Sequence, residues 1–183
     1  MNNVIEAIFN RQSVRSYKDE QIKPGELELI VESGVQAATA KNRQPWHFTV
    51  IQNREFIDYM NLVNNRLMSR DDNETLSERA RDGNFHVFYH APTVIVVSGQ
   101  KDNYYSLVDC SAAAQNMMVA AESLGIGTCW IGLIRYFLSL EEEVEKLKIP
   151  EGYEPFFAVC FGYKGENLNP KPVREKEVVS YIV

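Results

Sequence analysis

Apolar residues recur at every third or fourth position in several parts of the chain. This spacing places them on one face of an α-helix, so it predicts a helix in each part. Proline fixes a φ angle that suits a first helical turn, and Pro24 therefore marks the start of the second helix. Ser139 and Glu142 have the spacing of a capping box at the start of the last one. The predicted helices span residues 3–10, 24–38, 54–68, 104–124 and 139–147.

The helix predicted over residues 104–124 differs from the others because small and apolar residues cover most of its circumference. A helix that is apolar nearly all round is buried on several sides. In a chain of 183 residues, this favours packing against a second subunit as well as against the chain's own sheet. Gly125 is expected to end the helix, because glycine readily adopts the left-handed conformation common at that position.

Strands are predicted where short runs of β-branched and aromatic residues occur. These runs cover residues 47–51, 93–97, 128–133 and 156–161. Because strands and helices do not alternate strictly, the pattern favours an α+β fold, in which helices cover a sheet. We expect a single domain over residues 1–183, since 45% of the residues are hydrophobic and can form one core.

Two segments show neither the periodicity of a helix nor that of a strand. Residues 69–83 are charged and poorly patterned, so we expect a mobile surface excursion there. The tail beyond Gly162 contains Pro170 and Pro172 and ends in the apolar, β-prone residues 178–183. A proline-spaced linker before such an ending favours an arm that adds a strand to a sheet, either its own or that of a partner.

The charge distribution narrows the choice of partners. A formal net charge of −6 argues against a nucleic-acid partner, because phosphate backbones are bound by clustered lysine and arginine. Arg11 and Arg15 are the exception to a scattered basic set, and their pairing suits a small anion. Polar residues interrupt the longest apolar stretch, residues 107–127, so no membrane span is expected. The first residues lack the features of a signal peptide, which leads us to expect a cytoplasmic protein.

Familiar catalytic and metal-binding motifs do not occur in the sequence. Cys110, Cys129 and Cys160 stand far apart in apolar runs, which predicts buried thiols and no zinc site. His86 and His90 are four residues apart, but no glutamate completes an HExxH motif, so we expect no metal there. No GxSxG elbow accompanies a suitable aspartate and histidine, so a hydrolytic nucleophile is not expected either.

Three segments carry candidate chemistry. Residues 11–15, Arg-Gln-Ser-Val-Arg, offer guanidinium groups and a hydroxyl suited to a phosphate, or they are surface charges that follow a helix. Residues 42–46, Asn-Arg-Gln-Pro-Trp, suit hydrogen bonding to a flat heterocycle, or they form a turn anchored by Trp46. The glycines of residues 125–132 can let the backbone approach a ligand. They do not form GxGxxG, since Trp130 stands where the third glycine would be.

Taken together and in this order, the segments resemble the nitroreductase family of flavoproteins. Members of that family carry Arg-x-Ser-x-Arg/Lys after the first helix, followed by Asn-x-Gln-Pro-Trp and a strand that begins with Ala-Pro. A long Ala-rich helix then ends in a Gly-x-Gly-Thr-Cys-Trp-Ile-Gly segment. The last motif is a basic residue in a proline-rich arm. The corresponding positions here are residues 11–15, 42–46, 91–95, 124–132 and Arg174. Each motif alone is weak, but the five occur in register over nearly the whole chain.

The resemblance implies an FMN-binding homodimer with a central, mostly antiparallel sheet flanked by helices and a C-terminal arm that extends onto the partner subunit. The phosphate would be held by Arg11 and Ser13, joined by Arg174, and Arg15 would lie near the N1/O2 edge of the flavin. Thr39, Ala40 and Asn42 would come from the partner subunit. The full set of implied cofactor-binding residues is Arg11, Gln12, Ser13, Arg15, Thr39, Ala40, Asn42, Asn84, Trp130, Ile131, Gly132, Leu133 and Arg174.

The implied activity is hydride transfer from NAD(P)H, through the flavin, to a nitroaromatic, quinone or similar acceptor by a ping-pong mechanism. The flavin would carry the chemistry, so no protein residue is assigned as a proton-transfer catalyst. Two alternatives stay open, namely a specialised flavoenzyme of the same fold (a dehalogenase, dehydrogenase or flavin-fragmenting enzyme) and a flavin-binding module without turnover. No pocket for a 2′-phosphate can be recognised, so the sequence does not choose between NADH and NADPH.

Overall fold

A four-stranded antiparallel sheet forms the centre of the fold in the computed structural model, which describes residues 2–183. The strands are β1 (Trp46–Ile51), β2 (Thr93–Gln100), β3 (Ile126–Ile131) and β4 (Tyr153–Tyr163), in the spatial order β1-β2-β4-β3. The helices are α1 (Asn3–Asn10), α2 (Pro24–Val35), α3 (Arg54–Met68), α4 (Glu74–Arg81), α5 (Ser106–Ser123), α6 (Arg135–Leu138) and α7 (Glu141–Val144). Single 3-10 turns occur at Ala40–Asn42, Gly132–Ile134 and Glu145–Leu147.

The sheet is buried on both faces because helices pack on each side of it. Successive side chains of a strand point to opposite faces. Ile95 and Val97 therefore join the apolar residues of α2 and α5, whereas Val94 and Val96 join those of α3 and α6. The α+β class and the antiparallel arrangement are thus confirmed.

The predicted elements agree with the observed ones most closely where an apolar stripe is accompanied by a capping side chain. The helices α1 and α3 have the predicted bounds, and the side chains of Asn2 and Asn53 accept hydrogen bonds from backbone N–H groups in their first turns. The helix α5 is shorter than predicted by two residues at its start and one at its end, and Gly125 follows it with a φ of 76°. Strand β4 begins three residues before its predicted start, because pairing with β2 extends it to Tyr153.

The local structure differs from the expected one in two places. Residues 69–83, for which we expected a mobile surface excursion and predicted no helix, contain α4, whose first turn is capped by the Asn73 side chain. Ser139 does not cap a helix, since its hydroxyl donates to the carbonyl of Tyr136 at 2.7 Å. The chain there forms α6, which was not predicted, and then α7, for which Leu140 is the N-terminal cap residue.

The tail forms no helix or strand with the rest of the described chain. Residues 166–183 are exposed throughout, including the large apolar side chains of Val173 and Ile182. The predicted arm, and the strand that it would add to a sheet, therefore stay predictions. Among the helices of residues 2–183, none combines the length and the apolar character that crossing a membrane requires.

Candidate functional site

The Arg11–Arg15 segment lies along the outer edge of β3. The backbone N–H of Val14 donates to the carbonyl of Thr128 at 2.8 Å, and Ser13 forms an isolated parallel bridge with Thr128. Further on, the N–H of Lys18 donates to the carbonyl of Tyr163 at 2.9 Å. These bonds fix the segment against the end of the sheet, so its arginines are held by backbone contacts and do not belong to a free loop.

Gly127 makes this close approach possible. A Cβ atom at this position would lie 2.8–2.9 Å from the side chain of Val14, closer than real contacts permit. The sequence suggested that the glycines of this segment leave room for a ligand. At Gly127 the room is taken by the chain itself, whereas Gly132 faces open space.

The arginines of this segment carry uncompensated positive charge. Within residues 2–183, no carboxylate lies within 4.0 Å of the guanidinium group of Arg11 or Arg15. Next to them, burial raises the pKa of the Cys129 thiol, while Arg15, Ser13 and Arg11 act to lower it. Two cations and a hydroxyl at one edge of a sheet are donors of the kind that suit an oxyanion, whereas the buried thiol is not accessible to one.

Trp130 gives this edge an aromatic surface. It is 37% exposed, and its ring stacks on Phe157 with 3.8 Å between the centroids. Phe157 was missed by sequence reasoning, because it lies in a different strand. Of the neighbours named from the sequence, Gly132 is exposed, Leu133 is half-buried, and Ile131 is only 4% exposed and points into the core. A ligand can therefore reach Trp130 and the backbone of Gly132, but not the side chain of Ile131.

The Thr39–Gln44 loop is anchored by a buried carboxylate. Asp109 of α5 is 5% exposed, and it accepts hydrogen bonds from the Thr39 hydroxyl at 2.7 Å and the Ala40 N–H at 3.3 Å. The loop then enters the left-handed region at Lys41, Asn42 and Gln44, with φ angles of 55°, 53° and 47°. Strain of this kind persists only where the surroundings impose it. Asp109 lies 70 residues from Thr39 in the chain, so no local pattern could have pointed to it.

The predicted site residues form two groups at opposite edges of the sheet. Arg11–Arg15 and Trp130 lie at the β3 edge, whereas the loop with Thr39 and Asn42 leads into β1 at the other edge. Three strand spacings separate the two edges, which is about 14 Å. A single chain does not bring the two groups together.

The remaining predicted residues lie outside these two groups. Asn84 is exposed after α4, and its N–H donates to the carboxylate of Asp82 at 3.0 Å. Gln12 is half-buried beside Arg11. Arg174 is exposed in the tail, and its side chain makes no hydrogen bond or ion pair within the described part of the chain.

Asp58, His86 and His90 bring their ligand atoms within 4.8 Å of one another, but their surroundings disfavour a metal ion. The Nδ1 atom of His86 accepts hydrogen bonds from the N–H groups of Phe88 and His90, and its Nε2 lies 3.2 Å from Asp58. The guanidinium group of Arg54 lies 3.4 Å from both Asp58 and His90. A cation would compete with Arg54 for every exposed ligand atom, so this cluster is a structural ion pair.

The architecture defines a class of α+β protein in which two arginines without acidic partners and an exposed tryptophan lie along one edge strand of the sheet. The sequence profile of the nitroreductase family matches residues 8–163, and the chain belongs to that family. Among its relatives, the FMN reductase (NADPH) of Bacillus subtilis is 30% identical in an alignment that covers 98% of this chain and 73% of the relative.

Solved structures give the same assignment. The nitroreductase with bound FMN from Bacteroides fragilis is 31% identical, with a TM-score of 0.88 and all of both chains covered. The nitroreductase with bound FMN from Desulfitobacterium hafniense is 30% identical, with a TM-score of 0.91, and the match covers 100% of this chain and 99% of that one.

Proposed function

We propose that this chain is an FMN-dependent NAD(P)H oxidoreductase that passes hydride to nitroaromatic, quinone or similar acceptors by a ping-pong mechanism. The observation that carries the proposal is the pair of uncompensated arginines in a segment fixed along β3, the strand that also carries the exposed Trp130. Relatives whose names record FMN reductase activity, and FMN-bound structures that superpose over the whole chain, support the same conclusion.

The donors at the β3 edge fit the phosphate of FMN. Arg11 and Ser13 would hold the phosphate oxygens with charge-assisted and hydroxyl hydrogen bonds, and Gln12 would add an amide donor. Arg174 would complete the set from the tail. No acidic side chain opposes Arg11 within 4.0 Å in residues 2–183, so the phosphate would not have to displace an existing ion pair.

The flavin ring would lie against the surface between Arg15 and Trp130. FMN, when bound, supplies the hydride chemistry, and the protein supplies position and electrostatics. Arg15 would stabilise negative charge at the N1/O2 edge of reduced flavin, and Asn84 would donate to the pyrimidine ring. Trp130 and the backbone of Gly132 would limit the space on the N5 side. No residue is required to transfer a proton at the reacting atoms.

A homodimer would unite the two groups of site residues that one chain keeps apart. Thr39, Ala40 and Asn42 would reach the flavin of the other subunit, held in place by Asp109. The surface of α1 and α5 supports such pairing, since Phe9, Leu107 and Val108 are 61%, 53% and 65% exposed in the single chain. Large apolar side chains left exposed on packed helices are a feature of subunit interfaces.

The tail would serve as the arm that joins the two subunits. Its apolar residues 178–183 have a suitable acceptor in β1, an edge strand that pairs only with β2 among the described strands. Adding a strand to such an edge would satisfy the backbone groups of both segments. Extension of the tail onto the partner subunit would also move Arg174 away from its own chain and towards the phosphate of a bound FMN.

The test is reconstitution of the purified protein with FMN under anaerobic conditions, followed by titration with NADH and with NADPH. We expect quenching of flavin fluorescence on binding and rapid bleaching of the flavin by at least one nicotinamide. Protein that binds no FMN would refute the proposal. Slow bleaching by both nicotinamides would instead favour a specialised flavoenzyme, and tight binding with no turnover on a panel of acceptors would favour a flavin-binding module.

A further inference from the structure

Arg79 of α4 is held in a fixed orientation although it is exposed. Its guanidinium group lies over the ring of Phe85, 4.4 Å from the centroid, and its Nη2 atom donates to the Tyr89 hydroxyl at 3.1 Å. Stacking and hydrogen bonding together restrict a side chain that is otherwise flexible. Because no helix was predicted over residues 69–83, no sequence pattern connected Arg79 with the site.

Tyr89 links Arg79 to the arginines of the candidate site. The guanidinium carbon of Arg15 lies 5.7 Å from the centroid of the Tyr89 ring, and Arg79 binds the hydroxyl of the same residue. Tyr89 itself is constrained, with a φ of 53° and an edge-on contact to Phe85 at 6.4 Å between centroids. Arg79 is therefore the third guanidinium group at this edge. It belongs to α4, which contributes no residue to the proposed FMN site.

The charge of Arg79 is not neutralised by the chain. No carboxylate in residues 2–183 lies within 4.0 Å of its guanidinium group, although the protein has 25 acidic residues and a net charge of −6. Arginine beside a tyrosine hydroxyl offers a planar set of donors that matches a carboxylate or a phosphate.

We propose that Arg79 and Tyr89 form a subsite for the anionic group of the substrate that exchanges hydride with the flavin. The group is an oxyanion, either a carboxylate on the electron acceptor or a phosphate of the nicotinamide nucleotide. The inference rests on the proposed function, because it takes Arg15 to lie at the ring edge of FMN. In the proposed site, Arg11 and Arg174 bind the phosphate of FMN. Arg79, on the far side of Tyr89, is therefore available to bind the substrate.

The experiment compares the reconstituted holoenzyme with the variants Arg79→Gln, Arg79→Lys and Tyr89→Phe. Arg70→Gln is the matched control, because Arg70 is exposed and its side chain has no ion pair or hydrogen bond in the described chain. Acceptors are supplied as an anionic and neutral pair of similar shape, 4-nitrobenzoate and 4-nitrobenzamide. Donors are NADH and NADPH. Binding of benzoate and of benzamide is also followed by the absorbance change of oxidised FMN, which requires no turnover.

We expect Arg79→Gln to raise the KM for one anionic substrate by roughly fivefold to tenfold, which is what losing one partly exposed charge-assisted contact costs. The neutral acceptor and Arg70→Gln should show no such change, Arg79→Lys should recover part of the loss, and Tyr89→Phe should lose less than Arg79→Gln. A selective effect on 4-nitrobenzoate and benzoate assigns the subsite to the acceptor, and one on NADPH or NADH assigns it to the nucleotide.

An equal effect on 4-nitrobenzoate and 4-nitrobenzamide, with no change for either nucleotide, would overturn the proposal. So would a weaker affinity for FMN with unchanged KM values, since Arg79 would then serve the cofactor. Failure of the wild-type protein to bind FMN is a separate result, which would overturn the proposed function before this subsite is tested.

Discussion

At the residue scale, Gly127 decides whether the Arg11–Arg15 segment, which we propose to bind the FMN phosphate, can lie against the sheet. The Val14 atoms nearest to it include the branch point Cβ, which would lie 2.9 Å from the Cβ of an alanine at position 127, so rotation of the valine cannot remove the clash. The backbone of residues 13–14 would have to move away from β3, and with it the hydrogen bond from Val14 to Thr128. A glycine in a strand thus determines where two arginines lie.

We expect Gly127→Ala to lower the free energy of unfolding by about 1–3 kcal/mol, the usual result of overfilling a packed site. It should also raise the Kd for FMN, because Arg11 and Ser13 would be displaced. Gly25→Ala is the control, since a Cβ there meets nothing within 4 Å and the first turn of α2 favours alanine over glycine. Urea unfolding and fluorescence titration measure the two effects. A Gly127→Ala protein as stable as Gly25→Ala would contradict this account.

Substitutions of Arg11 and Arg15 should affect different properties of bound FMN, namely its affinity and its redox potential. Arg11→Ala removes a phosphate contact, so we expect FMN binding to weaken by about 1.5–3 kcal/mol. Arg15→Ala should change the affinity less and lower the midpoint potential of bound flavin, because positive charge near N1/O2 favours the reduced form. Equilibrium binding and a redox-dye titration distinguish the two. An unchanged potential in Arg15→Ala would remove that residue from the ring edge.

At the scale of elements, the turn between α4 and β2 contains a histidine that burial keeps neutral. Burial, followed by the neighbouring His90, lowers the pKa of His86 from 6.5 to about 4. Its Nδ1 atom accepts backbone N–H groups in a turn where Tyr89 and His90 are both left-handed. Protonation would break these contacts and loosen the residue that orients Arg79.

The pH dependence of stability follows from this shift. The unfolded chain binds a proton at His86 near pH 6.5, whereas the folded chain binds it only near pH 4. The contribution of His86 to the free energy of unfolding is therefore complete above pH 6.5 and is lost as the pH falls towards 4. Between pH 7 and pH 5 we expect a loss of about 2 kcal/mol from this residue. Urea unfolding of the wild type and of His86→Gln measures the difference. Parallel pH profiles for the two proteins would contradict the shift.

The same elements show what the sequence could and could not predict. The helices α1 and α3 were predicted to the residue, because an apolar stripe and an asparagine cap are both local signals. The helix α4 was missed because its charged sequence offers little apolar periodicity, and its burial at Ser77 depends on tertiary packing. The motifs that we propose to bind FMN could be named from the resemblance. The partners that position them, Asp109 for Thr39 and Tyr89 for Arg15, are distant in sequence and became visible only in the fold.

At the scale of the whole molecule, the apolar surface of α1 and α5 should hold two subunits together. We expect Leu107→Glu to shift the sedimentation mass from dimer to monomer and to abolish FMN binding in the same sample, because burying an unpaired charge is costly. Leu62→Glu is the control, since Leu62 is 66% exposed on α3, across the sheet from α5. A Leu107→Glu protein that stays dimeric, or a monomer that keeps its flavin, would contradict a site shared between subunits.

The separation of the site residues onto opposite sheet edges has a consequence for how the holoprotein behaves in a test tube. If neither chain alone contains a complete pocket, FMN stays bound only while the chains are associated. The bound fraction then depends on the protein concentration as well as on the FMN concentration. Diluting a yellow solution far enough should then release free flavin without denaturant, heat or competitor, and concentrating it again should restore the colour.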